Sequence, residues 1–374
     1  MSAADRPDAN APVASDVAAA CRGAGLVRLV GTADGDGLAA VGVLARALSA
    51  SEVPFQASVT RFPDPATGTD ADVTVTVGAA GGDVALEGTP ASVPAFAAAR
   101  ELDPGAADPV LALAGAVAAG ATPGEDSAGL LEAAEETGLE RRPGLAVPVA
   151  DAADGLAHST LVHLPVSGDV DAARAELADV AGGVDSPESR KRAASMVALR
   201  AVADAPTRAA RAVERALRPY SGGPFETVGG YADVLDAVAR ERPGTGVALA
   251  LGHDADAAAL SAWRDHAGAA HRAVREADTG RYDGAFVVRT DGPVGTVARL
   301  VRDYRSPEPV VLVLGRSERG YDRAAAAGDR EVPAALDEAV ADAGTVGGRG
   351  PTALATLHDP IDEGTFVSAF RGAL

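Results

Sequence analysis

The sequence predicts a two-domain α/β protein: a mainly parallel sheet in the N-terminal domain, linking helices, then a smaller α/β domain at the C-terminus. Three observations carry this. The chain has 374 residues, enough for about two domains of roughly 100 to 200 residues each. From residue 26 onward short apolar runs alternate with helical patterns, the order that builds a parallel sheet covered by helices. An arginine-rich helical stretch at 186–219 interrupts the alternation.

Residues 1–20 carry neither a basic segment nor an apolar core and are expected to be a flexible N-terminus. The N-terminal domain, 21–185, begins with a strand near 26–30 and a helix over 38–49, followed by strands at 71–78 and 82–88. Residues 107–120 are helical in content, and 126–138 read as a helix opened by Asp126 or Ser127 and closed by Gly138. In the linker, 186–219, Ser186 and Pro187 start a helix and Pro206 splits it. Its plain reading is a solvated helix pair; its sharper one is a basic stripe facing a phosphate backbone or an acidic partner. The C-terminal domain, 220–374, offers a helix at 229–241, a strand at 246–252 and a long helix at 255–276. Strands at 284–290 and 308–318, a helix at 332–344, a strand at 351–357 and a terminal helix complete it.

Fifty-three acidic residues face thirty-three basic ones, a net charge of -20, and Lys191 is the only lysine. With 3% aromatics, this is the composition expected at molar salt, where the Debye length falls to about 3 Å and self-repulsion is screened. The apolar content of 47% argues against an acidic disordered chain. Cys21 stands alone, which excludes an internal disulfide and suggests no disulfide-linked partner. No apolar run approaches the roughly 18 residues of a membrane span, and a cytoplasmic location without membrane contact is expected.

The stretch "LVGTADGDGLAAVG" sets Asp34 and Asp36 in a glycine loop between strand and helix. A loop there lies at the carboxyl end of a parallel sheet, the usual place for a site in open α/β folds. Two hard oxygen ligands at i and i+2 suit Mg²⁺ or Mn²⁺. Gly35, Gly37 and Ala40 also match a dinucleotide loop, but the paired acids repel a pyrophosphate, and Glu52 has no strand to place it on a ribose. An EF-hand fails because Ala45 stands where its bidentate Glu belongs. Helix capping explains one Asp and leaves the second over.

Strand, then H-x-D-x-D-G-x-x-A/S, then an amphipathic helix opens the DHH phosphoesterase superfamily, and this stretch resembles it. Asp34, Asp36, Gly37 and Ala40 fall on the motif, while Thr32 stands at the metal-binding His. "GLLEAAEETGLERRPGLAVP" and residues 223–274 resemble later passages of archaeal RecJ-like proteins. Arg316 and Ser317 resemble the S-x-R-S strand motif of the C-terminal DHHA1-like domain, and "VGGRGPTALATL" its G-G-G-H turn and strand. The chain thus looks like a diverged archaeal RecJ-like protein. The resemblance implies a metal site at Asp34 and Asp36 and substrate contacts from Arg316, Ser317, Gly347, Gly348 and Arg349.

Departures from the family are as informative. No histidine precedes His158, Gly78 stands where an Asp is expected, and Ala118 and Ala119 stand where an acid follows Gly. Asp83, His158 and His163 are the remaining candidates to join the loop. A two-metal hydrolase needs ligands that hold both ions about 3.5 to 4 Å apart, so at most one weakly held Mn²⁺ or Mg²⁺ is expected. Trp263, Tyr220, Tyr231, Tyr282 and Tyr304 are scattered and give no stacking platform for single strands. The leading expectation is a non-catalytic accessory of DNA replication or repair that binds nucleic acid or a partner. By analogy with the eukaryotic replication-helicase cofactor related to RecJ, a GINS-like complex is the implied partner. The runner-up is an active Mn²⁺- or Mg²⁺-dependent exonuclease on single-stranded DNA or RNA.

Overall fold

The computed structural model describes residues 11–66, 70–125, 127–181, 186–318, 320–359 and 361–374. Its first half runs α1 (Ala11–Arg22), β1 (Val27–Thr32), α2 (Gly35–Ala50), β2 (Phe55–Thr60), β3 (Val73–Val77), β4 (Val84–Leu86), α3 (Ser92–Leu102), α4 (Pro109–Ala118), α5 (Ala128–Glu136) and β5 (Glu140–Arg141). There follow α6 (Ala152–His158), α7 (Val170–Ala181), α8 (Pro187–Val202), α9 (Ala209–Arg215), β6 (Tyr220–Ser221), α10 (Val228–Glu241), α11 (Pro243–Ala250) and α12 (Asp256–Glu276). The chain closes with β7 (Asp278–Tyr282), β8 (Ala285–Thr290), α13 (Val294–Tyr304), β9 (Val310–Ser317), β10 (Gly320–Gly328), α14 (Pro333–Val340), β11 (Gly344–Arg349), β12 (Thr352–Leu357) and α15 (Glu363–Gly372). Among the described residues no helix is long and apolar enough to cross a membrane.

Contacts divide the chain into two compact units. Among the described residues, the first holds those from 11 to 142 with 147–149 and 220–263; the second holds those in 143–146, 150–219 and 264–374. A division falls at 219/220, as expected, but none falls at 185/186, and residues 220–263 belong to the first unit rather than to the C-terminal one. The apolar face of α10, with Val228, Tyr231, Val234, Leu235 and Val238 buried, packs on α2 and α4 of the first unit.

The first unit is built on four parallel strands in the order β2-β1-β3-β4. Central β1 is paired on both sides, Val27 opposite Phe55 and Val73, and buries Val27, Leu29 and Val30. Helix α2 is buried almost throughout, among α3, α4 and α10. Small residues permit that crowding: a Cβ on Gly42 would lie 2.6 Å from the Ala250 Cβ.

Two expectations are corrected here. Residues 11–20, expected to lie in a tail, form most of helix α1, whose Ala14, Val17, Ala18 and Cys21 recur at helical spacing and are buried. Residues 1–10 lie outside the described part. The expected strand at 246–252 is helix α11 instead, started by Pro243 at its first turn. A short, wholly apolar run reads alike as strand or buried helix.

The second unit carries a six-stranded sheet ordered β11-β12-β10-β9-β8-β7, in which only β8 and β9 run parallel. Strand β9 reads as an unbroken apolar run because both its faces are covered. Val311 and Val313 enter a core with α13, α8 and α9, whereas Val310, Leu312 and Leu314 enter one with α14 and α15. The arginine-rich segment forms the expected helix pair: the Ser186 hydroxyl accepts the Ser189 amide at 3.1 Å, and the helix stops at Val202 before Pro206.

Candidate functional site

Strand β1 ends at Thr32, and the chain turns through Asp34 into α2. Asp34 has extended backbone and is the N-cap: its Oδ1 accepts the Gly37 amide at 2.8 Å and its carbonyl accepts the Leu38 amide. The turn returns so closely on β1 that a Cβ on Gly37 would sit 2.4 Å from the Thr32 carbonyl oxygen. Gly35 is pressed as hard on the other side, where a Cβ would meet the Ala118 Cβ at 2.6 Å. The methyl of Ala118, where the sequence resemblance implied an acid, is thus packing material for this loop.

Asp36 is 4% exposed. Its Oδ2 accepts the Ala91 amide at 2.7 Å and its Oδ1 the Ser92 amide at 2.9 Å. Those amides open α3, whose own cap position, Ala91, has no side-chain acceptor. The carboxylate that α2 does not need therefore caps a second helix, where the positive end of the backbone dipole and two orphan N–H groups meet it. Burial, with the field of Asp34 added, pushes the Asp36 carboxyl up to about 6 against the pull of those donors.

A third carboxylate adjoins the loop. Asp236, on α10, accepts the Gly35 amide at 3.2 Å through Oδ1. It is gripped by Arg240, with Nη2 to Oδ1 at 2.7 Å and Nε to Oδ2 at 3.2 Å. Burial works against the Arg240 charge, but Asp236, and Asp34 beyond it, hold its pKa above the ordinary value. Asp236 and Arg240 escaped the sequence reading because their helix was assigned to the other domain. The acid-to-arginine i, i+4 spacing was the signal.

These residues do not fit a divalent ion. Both Asp36 oxygens accept short amide bonds, Asp34 caps its own helix, Thr32 replaces the imidazole, and Arg240 puts a fixed cation into the field of Asp34. Among the described residues no group of three or more His, Cys, Asp or Glu side chains is arranged to hold a metal. The other candidates have separate employment. Asp83 accepts the Thr74 amide at 2.8 Å. In the second unit, His158 Nδ1 lies 2.9 Å from Asp154, and His163 and His271 stack with their Nδ1 atoms 3.0 Å apart. Burial first, then nearby arginines, lowers His163 to about 4, and burial first, then His163, lowers His271 to about 3; both are neutral rings.

The C-terminal candidates are not brought together. Arg316 and Ser317 end β9, level with the end of β12 and the start of β11, whereas Gly347, Gly348 and Arg349 pair with Leu354, Ala353 and Thr352 at the opposite end of the sheet. At ~3.3 Å per residue the two groups lie roughly 10 to 20 Å apart along the strands. Arg316 Nη2 contacts Asp278 at 3.1 Å. The cleft beside Ser317, about 450 Å³, is lined by Glu318, Asp322 and Asp359 with Tyr321, Leu357 and His358, a lining that repels phosphate. Gly348 has its own reason: φ is +132°, and a Cβ would lie 2.5 Å from the Thr352 carbonyl. Trp263 is fully buried, its Nε1 donating to Asp233 at 2.9 Å.

With this geometry in view, the family model "uncharacterized protein rrnAC1427, C-terminal domain" matches residues 277–372. The whole chain is 53% identical to the uncharacterized protein rrnAC1427 of Haloarcula marismortui over 386 residues, covering 100% of both. Among solved structures, CDC45 from Entamoeba histolytica superposes with a TM-score of 0.56 at 8% identity, over 97% of this chain and 99% of that one. An exonuclease RecJ bound to manganese gives a TM-score of 0.48 at 15% identity, over 100% of this chain and 95% of that one. The CDC45 likeness shows the fold, and at that level the RecJ-like resemblance read from the sequence holds.

Proposed function

The chain belongs to the family of the Haloarcula marismortui protein rrnAC1427, and we propose that it is a non-catalytic accessory of DNA replication or repair built on a RecJ-like fold. One observation carries the reading: the two carboxylates of the DHH-like loop are helix caps, Asp34 for α2 and Asp36 for α3. In-line hydrolysis at a two-metal site needs carboxylate oxygens free to clamp the ions, and here the oxygens of Asp36 hold the fold together instead. On this reading the N-terminal part is a DHH-like domain that has become scaffold, the C-terminal part is DHHA1-like, and the protein works in the cytoplasm. Its partner is single-stranded nucleic acid or a GINS-like replication complex, as the sequence resemblance to the RecJ lineage implies.

The test is release of nucleotides from labelled single-stranded DNA and RNA at molar KCl with Mn²⁺ or Mg²⁺. The wild type is expected to release none above a metal-free control. Robust degradation by the wild type that disappears in Asp34→Asn/Asp36→Asn would overturn the proposal and establish the exonuclease.

A further inference from the structure

The arginine-rich helix pair has a face that the proposed function does not use. Helix α8 buries Ala193, Met196, Val197 and Ala201 in the second unit. Its opposite side presents Glu188, Lys191, Arg192, Ser195, Leu199 and Val202, a stripe at helical spacing that is exposed throughout. Leu199 is 71% exposed and Val202 38%, large apolar side chains turned to solvent at the C-terminal half of the helix. Toward its N-terminal half the stripe is basic, and it includes the only lysine of the chain.

Charge here runs against the rest of the molecule. Residues 187–219 hold eight basic and three acidic side chains in a chain of net charge -20. Part of that excess has structural duties: Arg200 pairs with Glu176, Arg208 with Asp329 and Arg215 with Asp303. Lys191, Arg192 and Arg211 are exposed, and among the described residues no ion pair holds them.

We propose that the outer face of α8 docks a protein segment that combines carboxylates with an apolar anchor, the carboxylates on Lys191 and Arg192 and the anchor on Leu199 and Val202. Charge complementarity selects the acidic partner, and the apolar end selects protein over nucleic acid. Leu199 and Val202 give nothing to a phosphate backbone, and the counterion release that drives phosphate binding falls steeply with salt. Apolar contact survives the screening that weakens the charge contacts. The inference stands on α8 alone and holds whichever way the nuclease assay falls.

The probe is a fluorescein-labelled synthetic peptide of about 15 residues, long enough to form a helix on contact, with leucines along one face and glutamates beside them. Binding to the full chain is followed by fluorescence anisotropy at molar KCl, with circular dichroism as a check on folding. Wild type is expected to bind it, and Leu199→Ser and Lys191→Glu/Arg192→Glu are each expected to weaken binding about tenfold. A peptide with lysines for the glutamates should recover binding to the charge-reversed variant. Equal binding by all three proteins overturns the proposal. So does binding of a labelled single-stranded oligonucleotide that charge reversal abolishes and Leu199→Ser leaves intact, which assigns the face to nucleic acid. Self-association of the wild type that Leu199→Ser abolishes also overturns it, assigning the face to a second copy of the chain.

Discussion

Asp36 is held by amides 55 and 56 residues away in the sequence, and this long-range pairing is what local reading of the loop misses. A cap for the following helix is legible from Asp34 and its neighbours; an acceptor for a helix that starts at residue 92 is not. Asp36→Ala leaves two amides at the start of α3 without an acceptor and should cost about 1–3 kcal/mol in urea unfolding. Gly37→Ala forces a methyl onto the Thr32 carbonyl and should cost about as much, ~1–3 kcal/mol. The folded carboxyl of Asp36 titrates near 6 against 3.8 in the unfolded chain, so the folded state binds the proton more tightly. Its contribution to stability is complete below the unfolded value and disappears as pH rises through about 6. Stability profiles of wild type and Asp36→Asn should therefore diverge between these two values, the variant lacking this term. A difference of the opposite sign would mean that the carboxylate, not the acid, is favoured there.

At the level of elements, strands with two covered faces and helices with clear punctuation were legible, as β9 and α8 show. The run at 246–252 was not, because apolarity alone does not distinguish a buried helix from a buried strand. Register was not legible either: Arg316 with Ser317 and Gly348 with Arg349 fall on two motifs expected to share a substrate, yet the pairing of β9, β10, β12 and β11 sends them to opposite ends of the sheet. Two element contacts have measurable weight. Arg240 is the guanidinium partner of Asp236 beside the loop, and Arg240→Met removes the cation that grips that part-buried carboxylate, a loss of about 2–4 kcal/mol in urea unfolding. A loss below ~0.5 kcal/mol, the size expected of a surface pair, contradicts this placement. The stacked rings of His163 and His271 join α12 to the segment after α6. Their folded values lie below the ordinary 6.5, so their stabilisation is complete above 6.5 and is lost as pH falls toward about 4 and about 3. His271→Asn should flatten that acid limb in thermal unfolding followed from pH 7 downward.

Across the whole molecule the composition speaks most clearly. A net charge of -20 with a single lysine sets self-repulsion against folding wherever salt does not screen it. The unfolding temperature should therefore climb as KCl is raised toward molar concentrations, and a flat response would refute the reading of the charge as an adaptation to salt. Fold class was legible at this scale because alternating patterns persist over the whole chain. The division into units was not, since α10 and α11 return to the first unit after an excursion of some seventy residues through the second. That return brings Asp236 and Arg240 to the loop, and with them the arrangement that sets Asp34 and Asp36 apart from a metal cradle. The central claim is that these carboxylates belong to the architecture. It is tested most directly by Mn²⁺ binding, followed by electron paramagnetic resonance at molar KCl, in the wild type and in Asp34→Asn/Asp36→Asn. The account predicts superimposable curves with only weak surface binding in both; one stoichiometric site in the wild type, absent from the double variant, would contradict it.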